Sequence, residues 1–209
     1  LNSEHLILGS INFHETKVKI KDVYFKSIFS EDAINIFRSN FNIINASYQD
    51  IFSDAIDVDF SKGNIDNVRF ININNDAIDF SGSIANVKNA YFNNINDKVV
   101  SVGEKSEINL SKIKAINSYV GIVSKDGSKV YSDNISFDGV VIPFAAYQKK
   151  NEYQHGTLFV KNFSMKNSTV NWIKDKNSNI VANGIPIKDE TKKIIPIIYE
   201  KKISLLENH

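Results

Sequence analysis

The chain has 209 residues, a hydrophobic content of 42% and a formal net charge of +1. This length and composition suffice for one domain with a buried core, and the small net charge argues against a general attraction to nucleic acid or to anionic membranes. There is no cysteine, which excludes disulfides and cysteine-ligated zinc, and no apolar run long enough to span a membrane.

Residues 1–30 predict the first strands of the fold. Apolar residues recur there in short alternating groups, as expected for strands with one buried face. These residues are Leu6, Ile7, Leu8, Ile11, Phe13, Val18, Ile20, Val23 and Phe25. Since the chain starts at Leu1 without a methionine or signal sequence, we expect a processed or excised piece of a longer protein.

A short sequence motif repeats every 22 residues within residues 31–129. It reads EDAIN from Glu31, SDAID from Ser53 and NDAID from Asn75, and it drifts to NDKVVS from Asn96. Two apolar columns run through it at this period, one of Ile34, Ile56, Ile78, Val100 and Ile122 and one of Ile36, Val58, Phe80 and Val102. Two more follow later in each repeat, formed by Tyr48, Phe70 and Phe92 and by Ile51, Ile73 and Ile95.

A 22-residue unit of short alternating strands, without a helical segment, indicates an all-β right-handed parallel β-helix. Leucine-rich repeats need a leucine pattern that is missing, and propeller blades have about 40 residues or more. In a parallel β-helix each strand pairs with its equivalent one coil later, so identical residues stack about 4.8 Å apart. Six or seven coils are recognisable, and right-handedness follows from the usual chirality of parallel crossovers.

After residue 129 the period loosens, and the segment from Tyr147 to Gly156 interrupts the coil as an insertion. One more coil is predicted from Leu158 to Val170. We expect a β-helix over residues 1–184 and a tail over residues 185–209 that caps the open strand edges or forms a last strand.

Several segments resemble a β-helix region found in bacterial proteins beside, or fused to, CotH-like modules. They are the Gly82-Ser83 segment with its later Asn89, SVGEKS of Ser101–Ser106, GIVSKDGS of Gly121–Ser128 and AYQKKNEY of Ala146–Tyr153. The resemblance covers about Asp54 to Tyr153. More broadly, the sequence is similar to the superfamily of polysaccharide lyases, epimerases and surface proteins, which implies the fold but no particular activity.

The first candidate site is a carboxylate ladder of Asp57, Asp59 and Asp79. If Ile56, Val58 and Phe60 point inward, Asp57 and Asp59 point outward, and Asp79 lies one coil from Asp57. The two carboxylates would be about 5 Å apart. Such a pair suits either a calcium ion, which is the one possible cofactor, or the acid/base pair of a carbohydrate enzyme. The alternative is a surface feature of the repeat whose charge Lys98, Lys125 or solvent relieves.

A second acidic column predicts a structural role. Its members are Asp32, Asp54, Asp76 and Asp97. Each follows Asn, Ser or Glu at the start of a predicted strand, where an aspartate is typical of a turn that bonds the local backbone.

The second candidate site is a basic and aromatic column of Arg69, Tyr91 and Lys112. An arginine, an aromatic ring and a lysine in line suit an acidic sugar chain, although the alternative is ordinary solvated surface. The insertion adds a second group on what we expect to be a protruding loop, consisting of Tyr147, Lys149, Lys150, Tyr153 and His155. The alternative there is a loop without a ligand.

Two functions remain open from the sequence. One is a non-catalytic β-helix scaffold, secreted or on the cell surface, that binds polysaccharide or serves as an interaction module. The other is a polysaccharide lyase, epimerase or hydrolase that uses Asp57, Asp59 and Asp79. The known epimerase, polygalacturonase and lyase motifs are missing, and His5, His14, His155 and His209 are too dispersed for a triad or zinc cluster. We expect the protein neither to bind nucleic acid nor to insert into a membrane.

Overall fold

The computed structural model describes residues 9–201 and 203–206, and these form a parallel β-solenoid. Its strands alternate along the chain between two sheets. The short-strand sheet contains β1 (Gly9–His14), β3 (Asp32–Phe37), β5 (Asp54–Asp59), β7 (Ile78–Ser81), β9 (Lys98–Gly103), β11 (Val120–Lys125), β13 (Ile142–Tyr147) and β15 (Trp172–Lys174).

The long-strand sheet has nine members, and all but the last pair in parallel. They are β2 (Lys17–Ile28), β4 (Asn40–Ile51), β6 (Lys62–Ile73), β8 (Ile84–Ile95), β10 (Glu107–Ile116), β12 (Lys129–Asp138), β14 (Thr157–Lys166), β16 (Asn179–Ala182) and β17 (Ile185–Pro186). The all-β parallel β-helix is therefore confirmed, with about eight coils where the repeats predicted six or seven. Its right-handedness stays a prediction, and Leu6, Ile7 and Leu8 lie outside the described residues.

The interior consists of stacked equivalent side chains. Ile34 pairs in register with Ile56, and Ile56 with Ile78, and all three are fully buried. The rings of Tyr48 and Phe70 stack with centroids 4.9 Å apart, as do those of Phe70 and Phe92. That separation equals the spacing of neighbouring strands, so each of these coils supplies one ring to the column, which ends where Ala115 pairs with Phe92.

The long strands from β2 to β14 bend near the middle at a residue with the left-handed backbone conformation, and β2, β4, β6 and β8 have a second such residue near their ends. Asn45, Asn67 and Asn89 occupy the middle position with φ of 55°, 53° and 53°. Asparagine tolerates positive φ better than most residues, and its amide can also bond its equivalent in the next coil. Asn67 Nδ2 donates to Asn45 Oδ1 at 2.8 Å. These ladders fix the bends on the polar outside of the long-strand sheet.

The tail covers the last coil in two ways. β17 pairs antiparallel with β16, and the Thr191 amide donates to the Lys174 carbonyl of β15. The chain then forms α1 (Ile194–Tyr199), followed by a 3₁₀ helix (Ile203–Leu206). No helix within residues 9–201 and 203–206 is long and apolar enough to cross a membrane.

Helix α1 lies along the side of the solenoid, against the outer face of the short-strand sheet. Ile194, Ile197 and Ile198 are buried on it. They join an apolar cluster, separate from the interior core, with Val120, Val123, Ile142, Ala145, Tyr147 and Ile173. The outer face of this sheet is thus apolar in its later coils and acidic in its earlier ones.

Candidate functional site

The carboxylate ladder lies on the acidic part of the short-strand sheet. One outward column runs through both the acidic and the apolar coils, formed by Asn12, Asn35, Asp57, Asp79, Ser101, Val123, Ala145 and Ile173. Asp57 and Asp79 are directly paired, as the 22-residue period predicted. Asn35 Nδ2 donates to Asp57 Oδ2 at 2.9 Å. The ladder is half-buried between neighbouring side chains.

Phe60 corrects one part of the sequence interpretation. It was expected inward after Ile56 and Val58, but its ring is exposed and its φ is 48°. Phe60 occupies the corner after β5, where the chain leaves the sheet, so the alternation of the strand no longer applies. Asp57 and Asp59 still point outward, because β5 itself ends at Asp59.

A buried lysine faces the ladder from two coils later. Lys125 Nζ lies 3.8 Å from Asp79 Oδ1 and donates to Ser101 Oγ at 2.8 Å. Lys125 is buried, whereas the side chain of Asp79 is 24% exposed. The expectation that a lysine offsets the charge of the ladder is met by this pair.

Burial and crowding raise the pKa of two ladder carboxyls. Burial is the larger cause for Asp57, with the charges of Asp59 and Asp79 next, and its pKa rises to about 9. The pKa of Asp59 rises to about 6, again mainly through burial, with the charge of Asp79 as the next cause. At neutral pH the Asp57 carboxyl is therefore protonated and can donate a proton or a hydrogen bond.

The second acidic column joins neighbouring coils. Asp54 Oδ1 accepts from the Asp76 amide at 2.9 Å, and Asp76 Oδ1 accepts from the Lys98 amide at 2.9 Å. The sequence placed Asp97 in this column, but Lys98 occupies the position, since it lies 22 residues after Asp76 and pairs with Val120. These aspartates bond the next coil's backbone instead of a local turn.

Lys98 is buried and ion-paired. Its Nζ lies 3.2 Å from Asp76 Oδ1 and 2.7 Å from Asp97 Oδ2. Burial disfavours its charge, but Asp76 and Asp97 outweigh burial and raise the pKa of Lys98. Lys98, Asp76 and Asp97 therefore form a structural ion-pair cluster that links the beginnings of neighbouring strands.

The calcium hypothesis gains no geometric support. Within residues 9–201 and 203–206, no group of three or more His, Asp or Glu side chains is arranged to hold a metal ion. Calcium at Asp57, Asp59 and Asp79 stays a prediction.

The basic and aromatic column lies on the outer face of the long-strand sheet. Arg69 pairs in register with Tyr91, and its guanidinium lies 4.6 Å from the centre of the Tyr91 ring. Lys114, and not Lys112, stands next to Tyr91. Lys112 instead sits at the bend of β10, with φ of 55°. The 22-residue period itself leads from Tyr91 to Ile113, so Lys112 was one residue out of register. One extra residue in the intervening turn, at Glu104–Lys105 with positive φ at both, then moves the pairing on to Lys114.

This outer face is strongly basic overall. The eight parallel long strands carry twelve Lys or Arg residues against six Asp or Glu residues, a difference of +6. All twelve basic residues are exposed. Strands β1, β3, β5 and β7 carry five aspartates and no lysine or arginine. The net charge of +1 thus divides into a basic face and an acidic face.

The insertion is anchored, and Tyr147 does not belong to its exposed part. Tyr147 is buried at the end of β13, where its hydroxyl lies 2.8 Å from the Tyr199 hydroxyl of α1. Its side chain is almost completely buried against α1, which corrects its assignment to the ligand-binding residues of an exposed loop. Lys149 is exposed, with Nζ 4.5 Å from the centre of the Tyr199 ring.

The other insertion residues have partners within the protein. Lys150 Nζ forms an ion pair with Glu104, and Tyr153 lies beside the same carboxylate. His155 Nδ1 lies 3.1 Å from both carboxylate oxygens of Asp175. The backbone amides of Lys149 and Lys150 donate to Asp126 Oδ1 at 2.7 and 2.8 Å. These bonds hold the loop against the solenoid, so it offers a rigid surface. His5 and His209 lie outside the described residues.

The structure also contains a surface groove that could bind a ligand and that the sequence did not predict. It lies at the corner where each long strand turns towards the short-strand sheet, beside the exposed rings of Phe29 and Phe52. The usable sequence signal was the replacement of asparagine by phenylalanine in one column of the repeat, since Asn74 and Asn96 occupy the later coils. The 22-residue period links Phe52, Asn74 and Asn96, and the hydrogen bonds between coils add Phe29, which lies 23 residues before Phe52.

No protein-family model matches the chain, and no curated protein matches it. Among solved structures, the chain is similar to trypsin-treated QnrB1, described as a plasmid-mediated fluoroquinolone resistance protein. The two share 13% identity over 92% of this chain and 95% of that chain, with a TM-score of 0.26. A superposition this loose carries no argument about function, and the solenoid assignment depends on the strand register of this chain.

Proposed function

We propose that this β-solenoid is a non-catalytic scaffold that binds acidic polysaccharide along the outer face of the long-strand sheet. The observation that carries the proposal is the +6 difference on that face, centred on the stacked pair of Arg69 and Tyr91. Guanidinium and ammonium groups bind sugar carboxylates through charge-assisted hydrogen bonds. The coils repeat these groups at strand spacing, which suits a chain of repeating acidic units.

The proposal includes a secreted or cell-surface location in a bacterium, as an interaction module of a longer protein. The similarity of Ser101–Ser106, Gly121–Ser128 and Ala146–Tyr153 to β-helices beside CotH-like modules supports this part. The proposal requires no cofactor, membrane insertion or nucleic acid. An oligonucleotide of equal charge is therefore the competitor that tests selectivity.

The binding experiment uses galacturonate oligomers and isothermal titration. We expect micromolar to millimolar Kd values that weaken as salt rises, because exposed charges are screened beyond about 10 Å at 0.1 M salt. Arg69→Ala combined with Tyr91→Ala should abolish binding. The matched control is Arg38→Ala combined with Phe37→Ala, since Arg38 is the only other arginine and lies 4.9 Å from the Phe37 ring centre. Equal losses in both double variants, or preference for the oligonucleotide, would contradict the proposal.

A second candidate function is supported by the asymmetry of the carboxylate ladder. Asp57 is held protonated at neutral pH, while Asp79 lies beside the Lys125 ammonium group. One carboxyl acting as an acid and a neighbouring one as a base is the arrangement that glycoside-cleaving enzymes use. We propose a lyase, epimerase or hydrolase as the alternative, with Asp57, Asp59 and Asp79 as its candidate residues.

Product analysis separates the two functions. An enzyme would generate new reducing ends, unsaturated sugars or inverted stereocentres, and Asp57→Asn or Asp79→Asn would remove them. Asp133→Asn, on the exposed long-strand sheet, is the control. Glycan that is bound but chemically unchanged by the wild-type protein supports the scaffold and excludes the enzyme for that glycan.

A further inference from the structure

The groove at the corner of the solenoid lies beside a column that changes character along the rod. Successive coils place Phe29, Phe52, Asn74 and Asn96 at equivalent positions, as the backbone hydrogen bonds between coils show. The groove has a volume of about 320 Å³ and is lined by Ser27, Phe29, Asp50, Ile51, Phe52, Asn72 and Asn74. That volume is at the lower end of the range for small-molecule sites and suits a single ring-sized ligand.

The aromatic part of the groove is open to solvent. Phe29 is 79% exposed and Phe52 is 60% exposed. Their centroids are 6.3 Å apart with planes tilted by 39°, whereas the interior rings of Phe70 and Phe92 stack at 4.9 Å and 4°. The two exposed rings therefore do not stack on each other as the interior rings do, and their faces stay open to solvent. This aromatic part of the groove offers an apolar surface for a flat, partly apolar ligand.

The polar part is where an asparagine ladder ends. Asn96 Nδ2 donates to Asn74 Oδ1 at 2.9 Å, so the Asn74 Nδ2 group is directed towards the preceding coil. Phe52 occupies that coil and provides no acceptor. Among the described residues, Asn74 Nδ2 has no acceptor, and it lies beside the Phe52 ring as an available donor.

A second ladder supplies an acceptor. Asn94 Nδ2 donates to Asn72 Oδ1 at 3.0 Å, and Asn72 Nδ2 donates to Asp50 Oδ1 at 2.7 Å. The other oxygen, Asp50 Oδ2, accepts only a long bond of 3.2 Å from Gln49 Nε2. A carboxylate oxygen can accept more than one hydrogen bond, so Asp50 Oδ2 has capacity for a ligand hydroxyl.

We propose that this corner groove is a binding site for a neutral pyranose unit, distinct from the basic face. The C–H face of the sugar packs on Phe52, and its hydroxyls receive a hydrogen bond from Asn74 Nδ2 and donate one to Asp50 Oδ2. The Asp50 carboxylate disfavours an acidic sugar, because like charges repel at this distance. The site therefore complements the proposed acidic-polysaccharide face but does not depend on it.

The test uses ¹⁵N-labelled protein titrated with neutral hexose oligomers, namely malto-, cello- and mannohexaose. At least one should shift the side-chain amide signal of Asn74 and leave that of Asn109, on the basic face, unchanged. Because the ligand is uncharged, its Kd should be the same in low and high salt.

Two variants and one control decide the outcome. Phe52→Ala should weaken binding about tenfold, which is the upper range for losing one ring contact. Asn74→Asp, which replaces the donor with an acceptor, should do the same. Phe60→Ala removes a ring of similar exposure, 52% against 60% for Phe52, at a different corner and should leave the Kd unchanged. No shift at Asn74 with any oligomer, or equal losses in Phe52→Ala and Phe60→Ala, would overturn the proposal.

Discussion

Single residues in this solenoid are constrained by what lies one coil before and after them. Asn45, Asn67 and Asn89 combine a left-handed backbone with a side-chain bond to the preceding coil, so each residue satisfies two requirements at once. Their amides donate to Asp22, Asn45 and Asp66. Lys112 holds the same backbone conformation but has no amide that can bond the preceding coil in this way. The bend of β10 therefore lacks the side-chain bond that the three earlier bends have.

The first prediction is that Lys112→Asn stabilises the protein by about 0.5–1 kcal/mol, because asparagine adopts positive φ more readily than lysine. Lys114→Asn, two residues later on the same strand and without positive φ, should have no such effect. Urea unfolding of both variants provides the measurement. A gain for Lys114→Asn as large as that for Lys112→Asn would show that charge reduction, and not backbone conformation, is responsible.

The interior columns give a second prediction at the same scale. Ile78→Ala should lower the free energy of unfolding by about 2–5 kcal/mol, because it leaves a cavity between Ile56 and its partner in the next coil. Ile84→Ala removes the same atoms from a side chain that is 52% exposed and should cost less than about 0.5 kcal/mol. Similar losses measured by chemical denaturation would contradict the assignment of inward and outward faces.

The third prediction concerns pH. Burial raises the pKa of Asp57 to about 9 and that of Asp54 to about 8, from 3.8 in the unfolded chain. Between pH 3.8 and about 9 these carboxyls are protonated in the folded state and ionised in the unfolded state. The folded state therefore binds more protons, and the free energy of unfolding falls as pH rises from about 4 to about 9. Asp57→Asn should flatten this decline and raise the melting temperature at pH 8.

The control is Asp189→Asn, in the exposed tail, which should leave the slope unchanged. Melting temperatures measured from pH 4 to pH 9 provide the comparison. Stability that rises with pH over this range would mean that the ladder carboxyls are ionised in the folded protein.

At the scale of elements, the apolar half of the short-strand sheet and helix α1 depend on each other. Val123 and Ala145 continue an outward column that is acidic at Asp57 and Asp79, and α1 covers the point at which the column becomes apolar. The Tyr119 hydroxyl also donates to the Ile197 carbonyl. A six-residue helix is too short to be stable alone, so its order comes from this contact.

The fourth prediction follows from that dependence. Ile197→Ser should release α1 and expose the apolar cluster around Val123 and Ile142, giving increased binding of a hydrophobic dye and association that grows with protein concentration. Ile195→Ser changes the same helix at a side chain that is 41% exposed and should leave both readouts near wild type. Dye fluorescence and light scattering distinguish the two. Identical behaviour of the two variants would mean that helix propensity, and not packing, maintains α1.

At the scale of the whole molecule, the near-zero net charge hides two faces of opposite sign. The long-strand sheet presents its excess of lysines outward, whereas the first four short strands carry aspartates and no lysine or arginine. Fields from such faces act within about one Debye length, so a partner at one face responds to that face and not to the net charge. A basic face of this size can therefore attract polyanions even though the net charge of the chain is +1.

The fifth prediction is that the protein is retained by a cation-exchange resin at pH 7 and low salt. Lys19→Glu combined with Lys88→Glu should advance its elution more than Lys188→Glu combined with Lys192→Glu, although both pairs change the net charge equally. The first pair lies on the basic face and the second in the exposed tail. Coincident elution of the two variants would show that net charge, and not its distribution, governs binding.

The sequence by itself determined the parallel solenoid, its coil length and the main interior columns. It could do so because coil-to-coil pairing places equivalent residues on top of one another, so the period of Ile34, Ile56 and Ile78 is also their spatial neighbourhood. For the same reason it predicted the pairing of Asp57 with Asp79 and of Arg69 with Tyr91.

Only the tertiary structure decided features that depend on departures from the period or on contacts between distant segments. One extra residue in a turn moved the partner of Tyr91 from Ile113, where the period places it, to Lys114, and the corner after β5 turned Phe60 outward. Tyr147 is buried because α1, some fifty residues later, packs on it. The raised pKa of Asp57 and the groove beside Phe52 arise from burial and from the ends of side-chain ladders, which a one-dimensional period does not encode.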